Sequence, residues 1–352
     1  MRIVVAMSGG VDSSVAAALL ALQGHEVIGL SMQLYDQRGE EKFGSCCSLD
    51  DLYDARRVAT ALGFPHYIVN FEKQFRETVV DNFVQEYAAG RTPIPCAHCN
   101  SDLKFSTLLE RAQGLGATHV ATGHYAQITS ASDGRWQLRR GADPDKDQSY
   151  FLFSLTQQQL GGALFPVGAL PKHAVREQAR SLGLAVAEKP DSQEICFIPD
   201  GDYASFVARR DPSVTRGGVV VDESGRELGA HGGIHRFTIG QRKGLGLASP
   251  MPLYVLKIDA SEQRVTVGPR SSLERTAFEI GDVNWIAGTV PSGWVRALAQ
   301  IRHRHTAAPG RVRALPGRGD EFEFDTPQPA ITPGQAAVFY DGDVVLGGGW
   351  IE

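Results

Sequence analysis

The sequence predicts an α/β chain. A doubly wound parallel sheet comes first, followed by two small β-rich domains, the last of them a β-barrel. Three observations carry this expectation. Short apolar runs alternate with helical stretches as far as Thr122, the pattern of a parallel sheet with helices on both faces. Beyond Arg210 the chain changes to short strands punctuated by Gly and Asp. At 352 residues it is too long for one ordinary core. The expected divisions are 1–203, 204–271 and 272–352.

Arg2–Met7 is a short apolar run that reads as a buried strand, and Ser14–Gln23 reads as the first helix. Glu26–Met32 is the second strand, followed by a polar loop over Gln33–Ser48. Leu49–Leu62 has helical spacing and stops at Gly63, a suitable C-terminal cap. His66–Asn70 is the third strand, and Phe75–Ala89 is helical up to Gly90. Arg91–Asn100 is proline-rich and rigid, Ser101–Ala112 is the next helix, and Thr118–Thr122 is a fourth strand. The Arg139–Arg140 and Lys146–Gln148 region is expected to be a loop. Helical stretches over Thr156–Leu160, Lys172–Leu182 and Tyr203–Arg210 bracket a turn-rich loop at Ala187–Asp202. Expected strands then include Gly217–Glu223, Arg236–Ile239, Tyr254–Asp259 and Arg264–Val267. Arg296–Arg302, Gly310–Ala314, Asp320–Asp325 and Gln335–Tyr340 continue the series.

Composition narrows the function. With 42% hydrophobic and 21% charged residues the chain reads as a globular protein, and no run approaches the roughly 20 apolar residues of a membrane span. The sequence enters a strand at once, without a signal-like stretch, so a cytoplasmic location and no membrane partner are expected. A net charge of −5 gives no global basic field, which leaves RNA contact to local patches. In that compartment five cysteines point to chemistry or metal rather than a disulfide framework.

The chemistry starts in the first turn. Ser8-Gly9-Gly10-Val11-Asp12-Ser13 lies between strand and helix. There a glycine pair lets backbone N–H groups converge, and the helix N-terminus adds positive potential. Ser8 and Ser13 add hydroxyl donors, and Asp12 suits either Mg²⁺ or the helix cap. No lysine follows the glycines, which excludes the loop that grips a γ-phosphate through Lys. SGGVDS resembles the PP-loop of the N-type ATP pyrophosphatases, which cleave ATP between the α- and β-phosphates and adenylylate an oxygen. That resemblance implies ATP with Mg²⁺ at Ala6, Met7, Ser8, Gly9, Gly10, Val11, Asp12 and Ser13. It also implies Met32 beside the adenine and Gly123 as a close backbone approach.

Two further landmarks are Arg91-Thr92-Pro93-Ile94-Pro95-Cys96-Ala97-His98-Cys99-Asn100 and Ser192-Gln193-Glu194-Ile195-Cys196-Phe197-Ile198. With SGGVDS, GHYA and KDQSYF they resemble the tRNA-uridine 2-sulfurtransferases in order and spacing, over nearly the whole chain. The resemblance implies that ATP adenylylates O2 of the wobble uridine and that a cysteine persulfide then delivers sulfur to C2. The persulfide is loaded by an upstream sulfur carrier or desulfurase. By position Cys196 resembles the persulfide-bearing residue and Cys99 its partner. The chemistry is consistent: AMP is a far better leaving group than oxide. A second cysteine parts the terminal sulfur from the inner one, which ends as a disulfide or thiol.

One departure opens an alternative. Many relatives carry Asp where this chain has Cys96, so Cys96, Cys99 and Cys196 form a possible three-ligand set for a [4Fe–4S] cluster. A zinc half-site or a spectator Cys96 are the other readings. Cys46 and Cys47 read as structural. The same resemblance implies tRNA contacts, through the anticodon stem-loop, at Ile94, Pro95, Cys96, His124, Lys146, Asp147, Gln148, Arg302, His303 and Gln335. Local basic clusters at 302–305, with Arg311 and Arg313, and at His235, Arg236, Arg242 and Lys243 suit phosphate contact. The uridine would have to be flipped out for O2 to be reached. A monomer is expected. Two competing functions are an amidotransferase-like synthetase built on the same loop and a non-catalytic RNA-binding metal protein. The paired cysteines with basic β domains oppose the first, and the intact SGGVDS opposes the second.

Overall fold

The computed structural model describes residues 1–35, 49–191, 195–198, 201–315 and 319–352. Cys46, Cys47, most of the expected 33–48 loop and Ser192–Glu194 therefore lie outside the described residues.

The first 200 residues are built on a parallel sheet. Its strands are β1 (Arg2–Ala6), β2 (Glu26–Gln33), β3 (His66–Asn70) and β4 (His119–Ala121). A hairpin of β5 (Ala126–Ser130) and β6 (Trp136–Arg140) follows, and β7 (Ala163–Leu164) returns to the sheet. The order is β3-β2-β1-β4-β7, every pair parallel. Ile3, Val4 and Val5 are fully buried, as a central strand covered on both faces requires. Ile3 and Val5 enter one core with Val11, Val15, Leu20 and Val175. Val4 enters the other, with Leu30, Phe83, Leu103 and Phe105. The chain runs outward from β1 through β2 and β3, then returns to the other side with β4. The crevice beyond the carboxyl ends of β1 and β4 is thus the switch point where such sheets bind ligands.

β8 (Gly218–Val221), β9 (Glu227–His231), β10 (Tyr254–Asp259) and β11 (Arg264–Gly268) form the second sheet, ordered β10-β11-β8-β9. The last is an antiparallel barrel of β12 (Glu274–Asn284), β13 (Val295–Gln300), β14 (Ala308–Ala314), β15 (Asp320–Pro329), β16 (Ala336–Asp341) and β17 (Val344–Ile351). It closes through β12 on β17, around Ile280, Phe322, Phe324, Phe339 and Ile351.

Three expectations are corrected. Arg139–Arg140 is strand, not loop: β6 pairs with β17 at Arg139↔Val344, so the hairpin of the first segment extends the barrel sheet. Residues 95–100 are helical, starting at Pro95, where the fixed proline φ suits the first turn. This helix is π-wound over Cys99–Thr107 before it resumes as Leu108–Gly114. Arg236–Ile239 is no strand: a single turn at Ile234–Arg236 buries His235, whose Nδ1 lies 3.0 Å from the Val214 carbonyl.

Candidate active site

The loop after β1 has the backbone its sequence demands. Gly9 sits at φ +74°, where a Cβ would lie 2.2 Å from the Asp51 carbonyl oxygen, so only glycine fits. The helix Val11–Leu22 begins at an extended Gly10 and has no side-chain cap, which leaves its first N–H groups directed at the crevice. Ser13 Oγ accepts from the Ser8 N–H at 3.2 Å and lies 3.3 Å from Ser8 Oγ, so both hydroxyls are gathered at the turn. Gly123, just past β4, packs against the same turn. A Cβ there would stand 2.6 Å from Asp12 C and Ser13 N.

The charged groups around this loop come from far along the chain. Lys172 Nζ donates to both oxygens of Asp12, at 2.7 and 2.8 Å, and pairs with Asp191 Oδ1 at 2.8 Å. Tyr125 OH donates to Asp12 Oδ1 at 2.7 Å. Lys146 and Arg176 complete the cluster on Asp191, at 2.8 and 3.0 Å. Partial burial opposes ionisation of Asp191, but the bonds from Lys146 and Lys172 outweigh it and hold its pKa at about 2. Lys189 Nζ donates to the Gly9 carbonyl at 3.1 Å and to Asp51 and Asp54. Burial lowers its pKa, yet the two carboxylates win and raise it, so it stays charged. In sequence Lys189 and Asp191 stand seven and five residues before Cys196.

The two cysteines are 97 residues apart in sequence and share one apolar cluster. Cys99 is a buried member of it, and the half-buried Cys196 packs against it. Tyr35 OH donates to the Cys196 carbonyl at 3.3 Å. Around Cys99 the helix is fixed by Asn100 Nδ2 donating to the Phe151 carbonyl and by Lys104 Nζ donating to Asn100 Oδ1, both at 3.0 Å. Cys96 is exposed. Among the described residues, no three His, Cys, Asp or Glu side chains gather as a metal-binding set. A cluster site at Cys96, Cys99 and Cys196 is thus not shown among the described residues.

Other expected contacts have structural partners. Ala6 is half-buried at the end of β1, while Met7, Val11 and Met32 are buried in the sheet cores. Ile94 and Pro95 are buried. His124 Nδ1 lies 2.7 Å from Thr122 Oγ1, and burial, helped by Lys104, pushes its pKa well down, so it is neutral. Asp147 accepts from Arg140, the Gly141 N–H and both donors of Ser149. Gln148 exchanges hydrogen bonds with the Tyr125 backbone. Gln335 Nε2 donates to the Thr92 carbonyl at 2.9 Å. Arg302 reaches the Pro329 carbonyl, and His303 is exposed beside Phe151. Sequence reasoning missed Lys172, Asp191 and Lys189. The only local signal was Lys189-Pro190-Asp191 directly before Ser192.

Family models match the three segments: a tRNA methyl transferase HUP domain over residues 1–200, a tRNA methyl transferase PRC-barrel domain over 204–269, and an aminomethyltransferase beta-barrel domain over 275–351. The tRNA-specific 2-thiouridylase MnmA of Geotalea uraniireducens is 54% identical over all of this chain and 95% of its own length. That of Solibacter usitatus is 55% identical over 99% of each, and that of Magnetococcus marinus 51% over 99% and 98%. With an ATP-type loop, a cysteine pair in one core and full-length relatives above half identity, the chain belongs to the tRNA-specific 2-thiouridylase family.

Proposed function

We propose that this protein converts the wobble uridine of tRNA to 2-thiouridine, using ATP and Mg²⁺ and releasing AMP and pyrophosphate. The observation that carries this reading is the meeting of two parts in one fold. One is a loop of converging N–H and hydroxyl donors, and the other is a pair of cysteines, distant in sequence, that share a core cluster.

Uridine O2 attacks the α-phosphorus of ATP and pyrophosphate leaves. The first N–H groups of the Val11–Leu22 helix and the Ser8 and Ser13 hydroxyls stabilise the phosphate charge. Asp12 is the carboxylate suited to hold Mg²⁺, which when bound neutralises charge on the leaving phosphates. Lys172, paired with Asp12 across the crevice mouth, supplies the cation that the loop itself lacks. The terminal sulfur of a Cys196 persulfide then attacks C2. Cys99 thiolate attacks the inner sulfur, which leaves a Cys99–Cys196 disulfide, while C2 keeps the sulfur and AMP departs. An external thiol resets the pair, and an upstream sulfur carrier or desulfurase reloads Cys196.

The persulfide route is preferred to an iron-bound sulfide because Cys99 and Cys196 share one apolar cluster, while Cys96 is exposed. Residues 1–203 would hold catalysis, 204–271 a small β domain and 272–352 the tRNA-contacting barrel, with the 302–305 basic stretch meeting phosphates. The compartment consistent with these partners is the cytoplasm. Among the described residues no helix is long and apolar enough to cross a membrane.

The test is tRNA-stimulated pyrophosphate release from ATP, measured beside 2-thiouridine content by nucleoside mass spectrometry. Both are expected in wild type, and Cys99→Ala should retain the first and lose the second. A methyl group on the tRNA with ATP left intact, or a Cys99→Ala chain that thiolates fully, would overturn the proposal.

A further inference from the structure

The chain that leads into Cys99 is gripped from one side by the far end of the C-terminal barrel. The Thr92 N–H donates to the Pro333 carbonyl at 2.9 Å, and its carbonyl accepts from Gln335 Nε2 at the same distance. Arg91 pairs with Glu352 at 2.7 Å and also reaches the Ile351 carbonyl. Six residues after Thr92 the His98 ring lies flat on Trp350 of β17, centroids 4.7 Å apart and planes at 5°. Phe153 backs Trp350 edge-on at 5.4 Å. At the ring edge His98 Nδ1 donates to Asp102 Oδ2 at 3.2 Å, and Asp102 Oδ1 accepts from Ser101 Oγ at 2.7 Å. Burial works against the Asp102 charge, but the His98 and Ser101 bonds prevail and hold its pKa below the usual range. Gln159 fixes the Ser101 carbonyl at 2.8 Å.

This support falls where the helix needs it. The winding changes to π at Cys99 itself, a geometry that is rare and concentrated at functional sites. In a helix, adjacent side chains point about 100° apart. Fixing the His98 ring at its face and its edge therefore fixes the direction of the Cys99 Cα–Cβ bond, whereas the buried Cys99 side chain alone could turn with any shift of the ladder.

We propose that His98, clamped between Trp350 and Asp102, is the positioning residue for Cys99, and that the last strand of the C-terminal barrel is thereby part of the sulfur-transfer site. This rests on the reading of Cys99 as the partner nucleophile. It concerns the second half-reaction and not ATP cleavage, whose groups lie on the loop after β1.

The experiment uses the full chain with ATP, tRNA and a persulfide donor. It compares wild type, His98→Ala, Trp350→Ala and Trp350→Phe. His98→Ala and Trp350→Ala should slow single-turnover thiolation about 10- to 100-fold, as a small misplacement of a reacting group does. Their tRNA-stimulated pyrophosphate release and KM for ATP should stay within about twofold, and Trp350→Phe, which keeps a stacking ring, should recover most of the thiolation rate. Should Trp350→Ala fail to fold, His98→Ala carries the test through the rate of Cys99 alkylation by iodoacetamide, expected to change several-fold. Unaltered thiolation and alkylation in His98→Ala would overturn the proposal. So would a parallel loss of pyrophosphate release and thiolation, the mark of a merely structural role. A Cys99→Ala chain that thiolates at the wild-type rate would remove the assignment beneath the proposal, and that result is read independently of His98.

Discussion

Replacing Lys172 by Met probes the charge cluster at the loop after β1 most sharply, because Met keeps the stem and deletes the charge. Lys172 makes bonds of 2.7 and 2.8 Å to Asp12 and one of 2.8 Å to Asp191. Its side chain is 12% exposed, against 31% and 25% for the two carboxylates. A fully buried pair broken from one side costs about 3–5 kcal/mol, and an exposed one about 0–1. The partial exposure here puts the loss at about 2 kcal/mol, a drop of roughly 4–8 °C in the melting midpoint of the first domain. If Lys172 also meets the nucleotide phosphates, one charge-assisted bond is lost in the transition state. Pyrophosphate release should then fall about 10- to 100-fold. Lys172→Arg, which retains the charge, should fall between. Calorimetry and a coupled pyrophosphate assay on the three chains give both numbers. A Met variant that melts and turns over like wild type would refute the reasoning.

Gly123→Ala places a methyl 2.6 Å from Asp12 C and Ser13 N, so it should displace the helix start. A fall of at least about tenfold in ATP use is expected, with about 1–3 kcal/mol of destabilisation, read by the same two assays. Asp147→Ala removes the acceptor for Arg140, the Gly141 N–H and Ser149. Denaturant unfolding should show a loss of about 3 kcal/mol, whereas a residue serving only RNA would weaken tRNA binding at unchanged stability. Asp191 has a folded-state pKa of about 2, below its ordinary 3.8. Its contribution is therefore fully present above about pH 4 and lost as pH falls through 2. After allowance for solvent screening it amounts to about 1 kcal/mol, and Asp191→Asn should flatten that part of the stability–pH curve.

What was legible in the sequence was what is local. The glycine pair, the serines and the buried strand before them determine the ATP-type loop without help from elsewhere. Gly9 at φ +74° against Asp51 shows why the spacing is strict. The cysteine landmarks were legible as residues but not as conformation. Arg91–Asn100 reads as a rigid, proline-rich stretch ahead of a helix at Ser101, yet the helix already opens at Pro95, because a proline at a first turn and one in a rigid linker read alike. Lys172 and Asp191 were invisible, since Lys172 meets Asp12 160 residues away and Asp191 meets Lys146 45 residues away, and nothing in a lone Lys or Asp announces it. The resemblance gives Lys146-Asp147-Gln148 as tRNA contacts, and nothing in the sequence tells that they also bind within the fold. In the fold Asp147 ties the strand end at Arg140 to Ser149, and Lys146 holds Asp191. The hairpin over 126–140 was missed for the same reason: its partner on the barrel is Val344.

The central claim is that sulfur travels from Cys196 through a persulfide to C2 of uridine, with Cys99 taking the inner sulfur. The most direct measurement loads iron-free protein with a ³⁵S persulfide, locates the label by peptide mapping, and follows one turnover with ATP and tRNA. The account predicts label on Cys196, its transfer into 2-thiouridine, and one Cys99–Cys196 disulfide for each uridine converted. Transfer that requires bound iron and is abolished by Cys96→Ala, with no disulfide formed, would contradict it.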